Sequence, residues 1–138
     1  MITTQTFQLK TKGSTDILDI TDKVQSILSQ SKIKEDQITI FVSSSTSGLT
    51  TVEYEPGLIQ DLKDFYNKII PQDKTYQHNE RWHDGNGHSH VRASLLKPSL
   101  TIPFQNSTLL LGTWQQIILI DFDNRERTRE VIVQVNGE

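Results

Sequence analysis

The 138-residue sequence contains no cysteine, which excludes disulfide bonds, thiolate nucleophiles and cysteine-ligated zinc sites. Positive charge is also scarce, since 14 lysines and arginines stand against 17 aspartates and glutamates, for a net charge of −3. This balance argues against a protein that binds nucleic acid by neutralising its phosphates. No apolar run reaches the length of a signal peptide or a membrane span. We therefore expect a cytoplasmic protein that binds neither nucleic acid nor membranes.

Length and hydrophobic pattern predict a single domain over residues 1–138, because two domains would each have too little surface to bury. Alternating or continuous apolar residues predict strands at 3–10, 16–20, 38–42, 100–104, 109–111, 117–120 and 131–135. We expect the first two strands to form a hairpin through a turn at Gly13 and Ser14. A second tight turn is predicted at Asn106 and Ser107.

Two helices are indicated by apolar residues at three- and four-residue spacing. Thr21 is expected to cap the first, whose apolar face carries Val24, Ile27 and Leu28. The second is predicted from Pro56 to Ile70, where Pro56 suits the first turn and Pro71 stops the helix. The apolar and aromatic stripe of this second helix predicts packing in the core.

The run Ile117–Ile120 is apolar at every position, so both faces of this strand are expected to be buried. A small monomer rarely buries both faces of a strand. We expect a second copy of the chain to cover one face in a symmetric oligomer.

The four histidines cluster within thirteen positions of the chain, together with Asp84 and Asn86, and core packing does not produce such clustering. They are His78, His83, His88 and His90. Imidazole binds transition metals and exchanges protons near neutral pH, so the cluster suits either role. If Asn86 caps a helix that begins near His88, then His88 and Arg92 share one face. The alternative is a polar surface turn without function.

Other polar segments are weaker candidates. The hydroxyl-rich run 43–48 can form an anion-binding nest or a simple turn, and it lacks the ending of a Walker A loop. Glu53 is a possible general base, whereas Glu55 reads as a strand-end carboxylate. The amides in 112–116 indicate a pocket wall or a subunit interface. The alternating charges of 121–130 are expected to be solvated.

Four segments in this order resemble the YjbQ family, and the resemblance covers nearly the whole chain. They are Tyr76-x-His78-Asn79, the continuous stretch Asp84–Ser94, Gly112–Gln116, and Val133-Gln134-Val135-x-Gly137-Glu138. The resemblance implies an α+β fold, with a single mostly antiparallel sheet folded on itself and capped by helices. It also implies a homotrimer. Relatives often carry His-Thr-Thr where this chain has Ser44-Ser45-Thr46, so a possible ligand or base is absent.

The resemblance further implies a weak thiamine-phosphate synthase activity, which joins a pyrimidine diphosphate to a thiazole phosphate and releases pyrophosphate. It implies a divalent metal, zinc or magnesium, held by His78, His88 and His90 at a site between subunits. His88, His90, Asp84 and Asn86 are the predicted catalytic residues, with the last two orienting the imidazoles. Arg92 and Ser94 are predicted to contact a phosphate of the small phosphorylated substrate. His83 lies outside the shared pattern.

Two alternatives remain open for the same residues. One is a trimer that binds a metal or a ligand without catalysis, because binding and catalysis draw on the same groups. The other is a metal-dependent phosphoester hydrolase, which the mixture of aspartate and histidine favours.

Overall fold

Eight strands in two antiparallel sheets, with four helices packed around them, make up the computed structural model, which describes residues 1–138. The strands are β1 (Ile2–Thr11), β2 (Asp16–Asp19), β3 (Asp36–Val42), β4 (Ser47–Val52), β5 (Ser99–Gln105), β6 (Thr108–Leu109), β7 (Gln116–Asp121) and β8 (Arg127–Gly137). The helices are α1 (Thr21–Ser31), α2 (Pro56–Ile69), α3 (Gln77–Trp82) and α4 (Gly87–Leu96). The sheets, ordered β1-β8-β3-β5-β6 and β2-β7-β4, curl into a half-barrel. The predicted α+β fold with a curled antiparallel sheet is confirmed.

The predicted opening hairpin is wrong, because β1 and β2 lie in different sheets. β1 pairs along its whole length with β8, in a register that places Phe7 opposite Val131, while β2 pairs with β7. Gly13, Ser14 and Thr15 all have positive φ angles, of 77°, 53° and 64°. This left-handed segment carries the chain from one sheet to the other instead of folding it back.

Both faces of β7 are buried, as predicted, but the reason that we gave is wrong. Ile117 and Leu119 belong to the main core, between α1 and the five-stranded sheet. Ile118 and Ile120 point to the opposite side, into a second core that α2 and α4 cover. One chain therefore buries the whole run, and the run gives no reason to expect a second copy.

The helix predicted from Pro56 to Ile70 is confirmed as α2, which ends one residue earlier. Glu55 caps it, with Oε1 accepting from Gly57 N and Oε2 from Leu58 N, each at 2.8 Å. These hydrogen bonds lower the pKa of the Glu55 carboxyl below its ordinary value. The apolar stripe is only partly in the core, because Phe65 is 49% exposed and Ile69 is 46% exposed.

The start of α1 also differs from prediction, because Ile20 and not Thr21 occupies the N-cap position. The Thr21 hydroxyl instead donates to Asp19 Oδ1 at 2.6 Å and accepts from Ile117 N at 2.8 Å.

The turn at Asn106 and Ser107 is confirmed, and it joins β5 to a strand that is shorter than predicted. No helix in the structure combines the length and the hydropathy that a membrane span requires.

Candidate active site

Two short helices, α3 and α4, bring two of the predicted site residues side by side. The ring centroids of His78 on α3 and His90 on α4 lie 4.4 Å apart. The helices approach closely because Gly87 has no side chain: a Cβ there would lie 2.6 Å from Tyr76 Cβ. The Gly87 backbone amide also donates to Asn79 Oδ1 at 2.9 Å. The contact between the helices therefore sets the distance between the imidazoles.

The loop between these helices places Asp84 beside His78. Asp84 Oδ1 lies 3.4 Å from His78 Nδ1 and accepts a hydrogen bond from Asn86 N at 3.1 Å. The two groups are close enough for an ionic contact, although His78 Nδ1 has no hydrogen-bond partner within the chain. The structure therefore brings together three of the predicted residues, namely His78, Asp84 and His90.

Asn86 is buried at the start of α4 and connects that helix to the segment after β7. Its Oδ1 accepts from Asn124 N at 3.3 Å and lies 2.5 Å from Ser89 Oγ. Ser89 Oγ in turn lies 2.6 Å from the carbonyl oxygen of Phe122. Asn86 therefore holds the helix that carries His90, in agreement with an orienting role.

His88 lies on the buried face of α4 and is only 2% exposed. Residues two apart on a helix point about 200° from each other, so His88 faces the interior while His90 faces α3. Its Nε2 lies 3.3 Å from Ser89 Oγ, and its buried Nδ1 has no hydrogen-bond partner in the chain. Burial, and then the positive charge of Arg92, lower the pKa of His88 below 6.5. His88 is therefore neutral at pH 7.

His90 is also held neutral near pH 7. Burial and then the neighbouring His78 lower the pKa of His90 below 6.5, while the charges of Asp84 and Asp123 oppose this shift. A neutral imidazole has one nitrogen that donates and one that accepts a hydrogen bond. His90 can therefore take part in proton transfer without first losing a proton.

Arg92 is buried in the protein interior, whereas the predicted phosphate contact needs an exposed guanidinium. It is 2% exposed, and its Nε donates to the carbonyl oxygen of Ile70 at 2.9 Å. Its Nη1 donates to Thr15 Oγ1 at 3.0 Å, and its Nη2 to Asn67 Oδ1 at 3.2 Å. The guanidinium thus joins α4 to α2 and to the segment before β2, and its position gives no support to the predicted phosphate contact.

Ser94 lies one turn after His90 and lines a cleft of about 350 Å³ beside it. Its Oγ donates to the carbonyl oxygen of Val91 at 2.8 Å, which leaves the oxygen free to accept from a ligand. The other residues of the cleft are Ser44, Ser45, Ser47, Ala93 and Pro98. The cleft is thus rich in hydroxyl groups and carries no lysine or arginine.

The hydroxyl-rich run forms one wall of this cleft. Only its first part is a loop, since Ser47 and Gly48 begin β4. Ser44 Oγ accepts a hydrogen bond from Thr46 N at 3.1 Å, as in a simple serine turn. The loop therefore adopts the simple turn that we gave as the alternative to an anion-binding nest. Its serines line the cleft beside His90.

The residues of one chain do not complete the predicted metal site. No group of three histidine, aspartate or glutamate side chains is arranged to hold an ion. His78 and His90 could supply two nitrogen ligands, whereas His88 points into the interior. A zinc or magnesium ion would need a further ligand from outside the chain, so the residues of one chain do not form a complete site for the ion.

A buried ionic network behind the site was missed, because the alternating charges after β7 read as a solvated turn. Arg129 Nε lies 2.6 Å from Asp121 Oδ2, and Arg127 Nε lies 3.1 Å from Asp123 Oδ2. Thr46 Oγ1 donates to the same Asp123 oxygen at 2.9 Å. Asp121 and Asp123 are 0% and 1% exposed, so the solvated interpretation is wrong for these two carboxylates, whereas Arg125, Glu126 and Glu130 are exposed as predicted. Their position directly after a doubly buried strand was the available signal.

Asp123 is the member of this network whose charge acts on His88 and His90. Burial raises the pKa of its carboxyl, but the hydrogen bond from Thr46, the nearby polar groups of Asn86 and Arg127 and the positive charge of Arg127 outweigh that effect and lower the pKa below 3.8. Its Oδ1 is buried and has no close hydrogen-bond partner. The negative charge raises the proton affinity of both His88 and His90. We therefore add Asp123 to the site.

The remaining candidates lie away from the histidines, at the far end of β4. Glu53 and Trp114 line a separate cleft of about 370 Å³, and Trp114 is 72% exposed. Gln115 is exposed and braces its own loop, donating to Thr51 Oγ1 and accepting from Gly112 N, each at 2.9 Å. Within one chain neither Glu53 nor Gln115 belongs to the histidine site.

Residues 5–138 match the sequence pattern of the family described as UPF0047 protein YjbQ-like. A UPF0047 protein from Archaeoglobus fulgidus is 36% identical over 126 residues, which cover 91% of this chain and 95% of that protein. Another from Methanothermobacter thermautotrophicus is 36% identical over 135 residues, 98% of this chain and 92% of that protein.

Solved structures agree with the sequence comparison. A YbjQ-like protein of unknown function from Sulfolobus solfataricus superposes with a TM-score of 0.90 at 28% identity, covering all of both chains. An uncharacterised YjbQ/UPF0047 protein from Clostridium acetobutylicum superposes with a TM-score of 0.85 at 33% identity, covering 94% of this chain and 97% of the other. The chain therefore belongs to the YjbQ-like UPF0047 family.

Proposed function

We propose that the chain is a weak thiamine-phosphate synthase-like transferase, whose reaction takes place in the cleft beside His90. The observation that carries the proposal is the pair of imidazoles, His78 and His90, 4.4 Å apart at the edge of a hydroxyl-lined cleft. The geometry supports hydrogen bonding and proton transfer. The identity of the reaction rests on the family resemblance.

The transfer breaks the bond between the methylene carbon of the pyrimidine and an oxygen of its diphosphate, and the electron pair leaves with that oxygen. The thiazole nitrogen then forms a new bond to the methylene carbon. The N–H of the neutral His90 imidazole donates to the departing oxygen and disperses its charge. His78, which lies beside Asp84, stands next to His90 and can accept or return the proton.

The test is the formation of thiamine phosphate from the two substrates, measured by mass spectrometry. We expect the His90→Gln variant to lose about 100-fold in rate, the lower range for removal of an acid–base group. His83→Gln is the matched control, because His83 is an exposed histidine five residues from His78. If the wild-type chain forms no product, the proposed reaction is wrong. If the two variants react at equal rates, the assignment of His90 to the site is wrong.

A second candidate is ligand binding without turnover. It is favoured by the lining of the cleft, where serine hydroxyls suit recognition of a small polar ligand and no cation stands ready for a leaving diphosphate. Binding of either substrate by calorimetry, without conversion, would favour this candidate over the transferase.

The proposal includes a cytoplasmic homotrimer. Apolar side chains that the chain leaves exposed support association, among them Phe65 and Ile69 on α2, Val91 and Leu95 on α4, and Trp114. A trimer would also allow a neighbouring chain to add a ligand or a cation to the histidine site. Light scattering after size exclusion measures the mass directly, and a monomer would contradict this part.

A further inference from the structure

A second cleft, of about 450 Å³, lies where β1 ends and β8 begins. Its six lining residues are all polar or charged: Lys10, Thr11, Lys12, Glu126, Arg127 and Thr128. The pairing of β1 with β8 fixes the walls, with Lys10 opposite Thr128 and Thr11 opposite Arg127. Three cationic residues therefore line one opening, and Glu126 is the single carboxylate among the lining residues.

The positive charge of this cleft is compensated only in part, by Glu126 and by the pairing of Arg127 with Asp123. Lys10 and Lys12 form no ion pair within the chain, and both are exposed. Arg127 meets Asp123 only through Nε, at 3.1 Å, which leaves its Nη1 and Nη2 groups without a protein partner. A guanidinium with two free Nη groups offers the parallel donors that suit a phosphate.

Three other clefts of the chain lack this positive charge. The clefts beside His90, beside Trp114 and at the chain ends contain no lysine or arginine. Arg92, which follows His90 on α4, is buried and fully engaged by Ile70, Thr15 and Asn67. In a chain of net charge −3, a cleft lined by three cations and one carboxylate is a local exception.

We propose that this cleft binds a small anion of the phosphate class, and inorganic diphosphate better than monophosphate. Three cations distributed around the opening can contact both ends of a diphosphate, whereas one phosphate meets fewer of them. The inference goes beyond the proposed transfer and does not require it. The link to the histidine site is Asp123, which pairs with Arg127 and also acts on His88 and His90.

The test is calorimetric titration of the full chain with sodium diphosphate, and then with sodium phosphate, at low ionic strength. The double variant Lys10→Gln/Lys12→Gln should bind diphosphate about tenfold more weakly, because two charge-assisted contacts are removed. Lys34→Gln/Lys68→Gln is the matched control, since it removes the same charge from exposed positions outside the cleft. We expect it to stay within about twofold of the wild type.

Added sodium chloride should weaken diphosphate binding, because the contacts are exposed and salt screens them. No measurable binding of diphosphate by the wild-type chain would overturn the proposal. Equal weakening in the two double variants would also overturn it, since binding would then follow net charge and not the cleft. If the chain binds diphosphate but shows no transferase activity, the proposed diphosphate site is supported and only the proposed transfer reaction is wrong.

Discussion

Asp123 connects the two polar regions of the molecule, because its carboxylate meets Thr46 and Arg127 while its charge acts on His88 and His90. The sequence could not reveal this role. Asp121, Asp123, Arg127 and Arg129 alternate in a pattern that is usual at an exposed turn. Their burial depends on packing of Thr46 and of β1 against the end of β7, and these contacts are distant in sequence.

The Asp123→Asn substitution should lower the free energy of unfolding by about 3 kcal/mol at pH 7, because it removes the buried carboxylate that pairs with Arg127. The pKa of Asp123 is lowered below 3.8, so its stabilisation is complete at neutral pH and is lost as the pH falls through the folded-state pKa. The difference between variant and wild type should therefore shrink below about pH 4. Urea unfolding measures it, with the exposed Glu126→Gln as control. A difference that grows in acid would contradict the account.

His88 also makes the stability of the fold depend on pH, because the folded chain favours its neutral form, whereas it favours the charged form of Asp123. Burial lowers its pKa below 6.5, so the unfolded chain takes up the proton more readily than the folded one. Above pH 6.5 the side chain is neutral in both states and does not alter the free energy of unfolding. Below pH 6.5 the unfolded chain takes up the proton first, so the free energy of unfolding falls by up to about 1.4 kcal/mol per pH unit. His88→Gln should lose less stability than the wild type between pH 7 and pH 5. Parallel unfolding curves against pH would show that His88 is not held neutral.

At the scale of single elements, the sequence predicts what depends on local pattern. The periodic apolar residues and the flanking prolines give α2 within one residue, and the placement of His88 and Arg92 on one face of α4 is confirmed. The predicted hairpin of β1 and β2 failed because strand partners are chosen by tertiary packing. The predicted cap at Thr21 failed because its hydroxyl has a better partner in Asp19.

Gly87 is the residue that holds the two site helices together. In Gly87→Ala the new Cβ would lie 2.6 Å from Tyr76 Cβ, so α3 and α4 must separate and His78 must move away from His90. We expect a loss of about 1–3 kcal/mol in unfolding free energy, as for overpacked contacts. The loss should be accompanied by weaker substrate binding.

Gly112→Ala is the matched control for this prediction. A Cβ at Gly112 would meet its nearest neighbours at 3.6 and 3.7 Å, which is ordinary contact, and the position is exposed. Urea unfolding of both variants measures the difference. If Gly87→Ala were as stable and as active as Gly112→Ala, the close contact of α3 with α4 would not determine the site.

At the scale of the whole molecule, two cores share the central strand β7. The sequence predicted that Ile117–Ile120 is buried on both faces, but it could not show whether α2 and α4 or another copy covers the second face. That answer depends on how the two helices fold back over the three-stranded sheet. The same helices also leave Phe65, Ile69 and Leu95 exposed, which is where association remains possible.

Ile118→Ala tests the division into two cores. Ile118 is 0% exposed and packs in the second core, so its truncation should cost about 2–5 kcal/mol of unfolding free energy. Because the contacts lie within one chain, light scattering should give the same mass for the variant as for the wild type. A change of mass without a change in the stability of the single chain would place that face at an interface.

The central claim is that ligands bind beside the His78–His90 pair. Its most direct test is the carbon-bound ring-proton spectrum of the four histidines during titration with the pyrimidine diphosphate, with each resonance assigned by a single His→Gln variant. We expect the resonances of His78 and His90 to shift with ligand concentration and the resonance of His83 to stay unchanged. Shifts confined to His83, or no shift at any histidine at saturating ligand, would contradict it.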